Sequence, residues 1–428
     1  MEDLPRVLPY DVLADVLARL RHAPRCLAAA RCVCREWRAA VDDQRLLRAD
    51  LLPLAVGGIF VTLYEPEPPV FFAPPSMAAK IHGRFEKYVE MESDFDTPDI
   101  VSCCNGLILL DYHVVNPATR QWVSLPPYPG VTKGALSSYG AYLAFDPMMS
   151  PHYEVLLVPD YPKKGFKGSE WPPLVYMICV YSSETRRWEE RPFAREGGPA
   201  GTVSDVMLAS EPNYRHAIYW RGALYVHCRS DFITRIILSD DKFQVIKLPT
   251  GINARSHRQI HLGKSKHGVC FASVDNQCRL QVRFLNEFCG EMEWVLKHDI
   301  NLQVLVHYCF HSNYNETNRP WILQDDKYDQ ENTKGRIVTN NLDWDSEEDN
   351  AVDVEDRGEE SAHIQIFGFH PFKEIIYMEI SAARVVAYYL NSSRVQDLGK
   401  LRLQFPGHPV ETGFIYTPCW TGELSANN

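Results

Sequence analysis

Apolar positions near the start of the chain recur at helical spacing. In "LPYDVLADVLARL" (residues 8–20), Val12, Leu13, Val16, Leu17 and Leu20 are one, three, one and three residues apart. That spacing puts them on one face of a helix. Pro9 suits the first position of such a helix and Asp11 falls in its first turn, where a carboxylate favours the dipole. Pro24 interrupts the pattern, "RCLAAAR" (25–31) resumes it, and "CREWRAAV" (34–41) predicts a third helix with Val33, Trp37, Ala40 and Val41 on one side. Three short helices of this size cannot bury enough surface to stand alone. Their apolar faces need cover, either from the rest of the chain or from another protein.

Beyond residue 55 the period shortens. Glycine, proline, aromatics and short apolar runs take over, and "YMICVYSS", "ALYVHC", "GVCFASV" and "LQVRFL" predict strands. The strands repeat. "HVVNPATRQWVSLP" (113–126) matches "CVYSSETRRWEERP" (179–192): a strand, a turn, Thr-Arg-x-Trp, a second strand and a proline. "RIILSDDKFQVIKLP" (235–249) carries Val245 at the tryptophan position, "RFLNEFCGEMEWVLK" (283–297) carries Trp294, and "AYYLNSSRVQDLG" (387–399) is a weaker copy. From Trp122 the intervals are 66 residues to Trp188, then 57 to Val245 and 49 to Trp294. Asn116-Pro117, Ser182-Ser183 and Cys289-Gly290 supply hairpin turns. Upstream, "SCCNGLILLD", "YWRGALYVHC" and "SKHGVCFASV" each set a glycine just before a strand. One such strand plus one hairpin per repeat of about 50 residues is a kelch-type blade, and radial repetition protects many short strand edges. The expectation is an all-β, kelch-like β-propeller of about six blades.

Two resemblances sharpen this. The stretch Leu8-Pro9, Asp11, Leu13, Val16-Leu17, Leu20, Leu27, Arg31, Val33-Cys34-Arg35 and Trp37 resembles an F-box over about residues 6–45. "CNGLILL…VVNPATRQWVSLPP" is similar to the C-terminal domain of plant F-box-associated proteins, through Cys104 to Leu107, Asn116 to Arg120, Trp122 and Leu125-Pro126. The first resemblance implies a Skp-family adaptor as partner, and through it a cullin. It places Leu8, Pro9, Leu13, Val16, Leu17, Leu20, Val33, Cys34 and Trp37 in the adaptor interface. Leu8, Pro9, Leu13, Leu17 and Trp37 should then be exposed in the isolated chain. The cysteines of "RCVCREW" (31–37), with Cys26 upstream, read as packed apolar side chains, since C-x-C without a second ligand pair is a poor zinc site. The expected organisation is an F-box of three short helices at 1–50 and a propeller domain at 51–428.

Composition narrows the chemistry. The formal net charge of −11 disfavours a nucleic-acid binder, and the longest nearly apolar stretch, "LLPLAVGGIFV", is too short to span a bilayer. Without a leader-like N-terminus, the twelve cysteines read as thiols of a soluble intracellular protein, in the cytoplasm or nucleus. Residues 325–361 interrupt the repeats, and 343–360 hold ten acidic residues against one basic. Such a run predicts a disordered acidic loop. "HLGKSKHG" contains Gly-Lys-Ser, but Arg258 stands where a phosphate-binding loop needs its upstream glycine. Arg255, His257, Arg258, His261, Lys264 and Lys266 read as a basic surface loop and the candidate contact for an acidic substrate.

No catalytic motif and no ligand set for a metal or cofactor is recognisable. The sequence therefore points to a non-catalytic adaptor: a substrate-recognition subunit of a Skp–cullin–F-box (SCF) ubiquitin ligase, with an unidentified protein substrate. The alternatives are an F-box binding protein outside any ligase, and a propeller enzyme with a metal in its central channel.

Overall fold

Hairpins with local turn chemistry dominate the computed structural model. It describes residues 9–19, 30, 33–44, 46, 56–63, 68–85, 99–128, 139–160, 168–208, 216–228, 232–249, 257–288, 291–311, 321–324, 364–380, 384–401, 410–420 and 424. Five antiparallel meanders follow in chain order. The first unit is Ile100–Cys104, Leu107–Leu110, His113–Asn116 and Gln121–Ser124. The second is Tyr139–Ala144, Glu154–Pro159, Val175–Ser182 and Arg187–Glu196. The third is Ala217–Trp220, Ala223–Cys228, Phe232–Ile237 and Lys242–Lys247. The fourth is His257–Ser265, Gly268–Asp275, Arg279–Phe288 and Glu291–Asn301. The fifth is Ile364–Phe369, Ile375–Ile380, Arg384–Tyr389 and Val395–Lys400.

A sixth unit joins the two ends of this region. Gly58–Leu63 lies between Val70–Ala73 and the late strand Val410–Tyr416, and Ile322–Leu323 forms the far edge. Phe60 faces Phe414 and Phe71 in register and packs on the Phe71, Phe85 and Tyr416 rings.

The core is distributed between sheets. One cluster joins the first and second units through Leu109, Val114, Leu143 and Val155. Another joins the second and third through Ile178, Phe193, Leu224 and Phe243. The third and fourth share Ile233, Leu262 and Phe271, and the fourth and fifth share Leu280, Val282, Ile366 and Met378. The fifth and sixth share Phe367, Val385, Ile59 and Phe72. Phe60, Tyr416, Ile108 and Val115 bring the sixth back to the first, so each unit packs on two neighbours. This radial arrangement is a β-propeller. Between the second and third units the outer strands also pair in parallel, Ala194–Glu196 against Lys242–Gln244, which makes one eight-stranded sheet.

The repeats seen in the sequence are the outer hairpins of the first five units. Their turns carry a left-handed residue at matching places: Arg120 (φ 61), Arg186 (φ 55), Asp241 (φ 50) and Ser393 (φ 55). Asn116 Oδ1 accepts from the Ala118 and Thr119 amides, the side-chain turn that asparagine favours. Trp188 Nε1 donates to Pro126 O at 3.0 Å and Trp294 Nε1 to Lys247 O at 3.1 Å. The repeated tryptophan thus ties an outer strand to the chain of the preceding unit. The glycine of the upstream motif sits in the inner turn, where Asn105-Gly106 (φ 47, 91) and Arg221-Gly222 (φ 48, 79) close two-residue hairpins with both φ positive. A Cβ on Gly106 would stand 2.5 Å from the Cys419 amide nitrogen.

Two helices are described near the N-terminus, α1 (Tyr10–Ala18) and α2 (Arg35–Asp43). The predicted "RCLAAAR" helix lies outside the described residues apart from Ala30, and the acidic 325–361 segment lies wholly outside them. The nine cysteines that are described are all free thiols. No described helix is long and apolar enough to cross a membrane.

Candidate functional site

The helical pair presents one candidate surface. Pro9 caps α1 rather than entering it, and its carbonyl accepts from the Leu13 amide at 2.9 Å. Leu13 (5% exposed) and Leu17 (0%) pack on Ala40, Val41 and Leu46, with Trp37 half-buried beside them. This corrects the expectation that Leu13 and Leu17 are exposed in the isolated chain. They lie on the stripe that holds the two helices together, and a helix spends its most apolar stripe on the nearest core. What remains outside is Pro9, Tyr10 (42% exposed), Val12 (43%), Val16 (42%), Val33 (63%) and Cys34. Val12 and Val16 are neighbours one helical turn apart. Cys34 is exposed rather than packed as the sequence suggested. Leu8, Leu20, Cys26 and Cys32 lie outside the described residues.

The basic "surface loop" is a second correction. Residues His257–Ser265 form the innermost strand of the fourth unit, paired with Gly268–Asp275. His261 is buried and Lys264 half-buried, both turned toward the propeller axis, and Lys266 alone of the six is shown exposed, 3.6 Å from Glu374. Arg255 lies outside the described residues, as do the side chains of His257 and Arg258. The strand went unseen because an axial strand can hold polar side chains where an ordinary buried strand cannot.

At the axis is a cavity of about 120 Å³, lined by residues from the inner strand of every unit, including Cys103, Tyr142, Tyr219, His261, Phe367 and Phe414. Lys264 Nζ donates to Asn105 Oδ1 at 2.8 Å, and the Tyr219 carbonyl lies 3.5 Å away. Asn105 Nδ2 in turn donates to Phe145 O at 2.6 Å. Burial lowers His227 to about 4, and burial with the neighbouring His227 lowers His261 to about 3. His216, whose ring centroid is 4.1 Å from that of His261, is held well below the usual range by burial and by both other histidines. Burial pushes Cys103 up to about 12, beside Cys104, against the pull of Lys264. At neutral pH these imidazoles and thiols are uncharged. Among the described residues no group of three or more His, Cys, Asp or Glu is placed to hold a metal ion. Sequence reasoning missed Asn105, His216 and His227. "CNG" was read only as a turn, and nothing in the order of residues shows which strands meet at the axis.

A family profile described as "F-box protein At3g26010-like, beta-propeller" matches residues 80–311, and an "F-box-like" profile matches residues 6–50. The chain belongs to the F-box β-propeller family. Related proteins of this kind include the Arabidopsis thaliana F-box protein At5g07610, 26% identical over 231 residues, which are 48% of this chain and 49% of that protein. The A. thaliana F-box/kelch-repeat protein At1g15680 is 24% identical over 322 residues, 69% of this chain and 72% of that one. The match therefore spans about half the length of the first relative. Solved structures that align with this F-box propeller include "YCF48 bound to D1 peptide" (7% identity, 81% of this chain, 82% of that one, TM-score 0.33). "Crystal Structure of Mitotic Checkpoint Complex" aligns at 10% identity, over 76% and 83%, with TM-score 0.34. Superpositions that loose carry nothing for this chain beyond the fold its own strands define.

Proposed function

We propose that this F-box β-propeller protein is the substrate-recognition subunit of an SCF-type ubiquitin ligase. The helical segment would dock on a Skp-family adaptor, and through it on a cullin, while the propeller holds a protein substrate. The observation that carries this reading is the union in one chain of an F-box-like segment at 6–50 with a propeller. The apolar surface at Val12, Val16 and Val33 supports it, because such a surface on so small a helical pair calls for cover. We also take the six four-stranded units as six blades. In this role the chain does no bond chemistry. It raises the local concentration of a substrate near a charged ubiquitin carrier and orients its lysines. The cytoplasm or nucleus would be its place of work.

The test is capture of a Skp-family adaptor by the full chain, followed by ubiquitin transfer in a reconstituted complex. Val12→Asp with Val16→Asp should abolish capture while leaving the propeller folded, since desolvating two carboxylates inside an apolar interface is prohibitive. A chain lacking residues 1–50 should keep its substrate and prolong that substrate's half-life in cells. Adaptor capture that persists in the double variant sinks the assignment of this face.

A further inference from the structure

The axial cavity is lined by a lysine and, among the described residues, by no carboxylate; Asp146, which acts on Cys104 and Tyr219, is not among the lining residues. Lys264 is the one Lys, Arg, Asp or Glu among the described residues lining it, and no carboxylate lies within ion-pair distance of its Nζ among the described residues. Its near partner, Asn105, is a neutral amide that fixes the ammonium in place without balancing it. An ammonium has three donors, of which one is engaged at 2.8 Å and a second only at 3.5 Å. Buried or half-buried charges in proteins are ordinarily paired. A second polar side chain, His261, 6% exposed, lines the same cavity. Cys103 and Cys104 cannot act as counter-anions, because burial keeps both thiols protonated.

We propose that the axial cavity binds one compact oxyanion, a carboxylate or a tetrahedral sulfate- or phosphate-like group, on the Lys264 ammonium. The volume of about 120 Å³ sets the size. Pockets for drug-sized ligands and nucleotides run to roughly 300–1,000 Å³, whereas a cavity near the size of this one takes a single small group. The charge sets the sign, and the polar groups set the chemistry: the Lys264 ammonium, and the His261 imidazole three residues earlier on the same strand, kept neutral by burial. Occupancy would add a partner to an ammonium that already reaches Asn105 of the first unit, so the ligand should also stabilise the folded ring. This inference does not depend on the ligase reading, and its failure would leave that reading untouched.

The experiment is titration of the full chain at pH 7.5 and constant ionic strength with sodium acetate, sodium sulfate and inorganic phosphate, read by calorimetry and by thermal unfolding. At least one probe should bind saturably at one site per chain and raise the unfolding temperature with the same midpoint. The acetate arm reports a carboxylate site, and the sulfate and phosphate arms a tetrahedral one. Lys264→Met should weaken binding at least tenfold, Lys264→Arg should retain part of it, and Lys266→Met, at an exposed lysine two residues along, should change nothing. Circular dichroism and adaptor capture check that each variant is folded. If Lys264→Met does not fold, the Nζ resonance of Lys264 in the wild-type protein decides, since it should shift with the calorimetric midpoint. No saturable binding by any probe overturns the proposal. So does equal stabilisation of the wild type and Lys264→Met.

Discussion

Lys264 Nζ reaches Asn105 Oδ1 at 2.8 Å, joining the inner strand of the fourth unit to the inner turn of the first, three units away around the ring. Asn105 is suited to this twice over. It holds φ 47, a left-handed conformation that asparagine tolerates better than most residues, and its amide nitrogen is anchored on Phe145 O. A hydrogen bond to a charged group contributes about 1.5–3 kcal/mol. Asn105→Gly keeps the backbone conformation and removes the side chain; Lys264→Met removes the ammonium. A double-mutant cycle between them, measured by denaturant unfolding, should return a coupling of about 1 kcal/mol or more. Additive effects would mean that the contact stabilises nothing.

The helical pair separates core from interface. Leu17→Ala empties a fully buried position among Ala40, Val41 and Leu46 and should cost about 2–5 kcal/mol, enough to unfold so small a unit. Val16→Ala, one residue away and 42% exposed, should leave helicity intact and weaken adaptor capture. Comparing far-ultraviolet dichroism with pull-down for the two variants checks this. Loss of structure in Val16→Ala would place it in the core instead.

These cases show what was legible in the sequence. The outer hairpins were, because their signals are local: Thr119-Arg120 and Thr185-Arg186 specify a turn, and the following tryptophan marks the strand beyond it. Helical spacing likewise exposed an apolar stripe on α1, but a stripe does not say what covers it, and the leucines turned out to face α2. The axial strand His257–Ser265 was illegible because His261 and Lys264 look like surface residues until five other strands close around them. The pairing of Gly58–Leu63 with Val410–Tyr416 was hidden for a related reason, as no local pattern links segments some 350 residues apart.

That pairing leads to a third expectation. Val410–Tyr416 is the inner strand of the sixth unit, and Tyr416 is fully buried against Phe60 and Phe71. Ending the chain at residue 409 opens the ring and strips one strand from a shared core. The truncated protein should lose cooperative unfolding and become sensitive to protease in the strands of all five remaining units. A truncation that still melts in one sharp step would show that the ring does not need this closure.

The repeated tryptophan can be tested apart from its bulk. Trp294→Phe keeps a ring near Phe271, 5.8 Å away in the native pair, but deletes the N–H that reaches Lys247 O. The net loss should be about 1 kcal/mol, and it should appear as a lower denaturant midpoint with an unchanged slope. No loss in midpoint would assign Trp294 a packing role only.

The buried histidines make the propeller sensitive to acid. His227 titrates at about 4 and His261 at about 3 in the folded chain, against 6.5 for an ordinary histidine, and burial is the first cause in both. The folded values lie below the unfolded one, so between pH 6.5 and about 4 the unfolded chain binds more protons. Stability is therefore complete above pH 6.5 and falls as the pH drops through that window. Each such histidine contributes a slope of up to about 1.4 kcal/mol per pH unit. Glu154 and Glu411, raised by burial, act in the opposite direction, so the measurement is a difference. His227→Phe removes one titration, and with it a ring whose two nitrogens have no hydrogen-bond partner among the described residues. Its unfolding free energy should fall less steeply than the wild type's from pH 6.5 to 4.5, with the gap between the two widening in the variant's favour at each step down. Parallel curves would show that His227 is solvated or already charged in the folded chain.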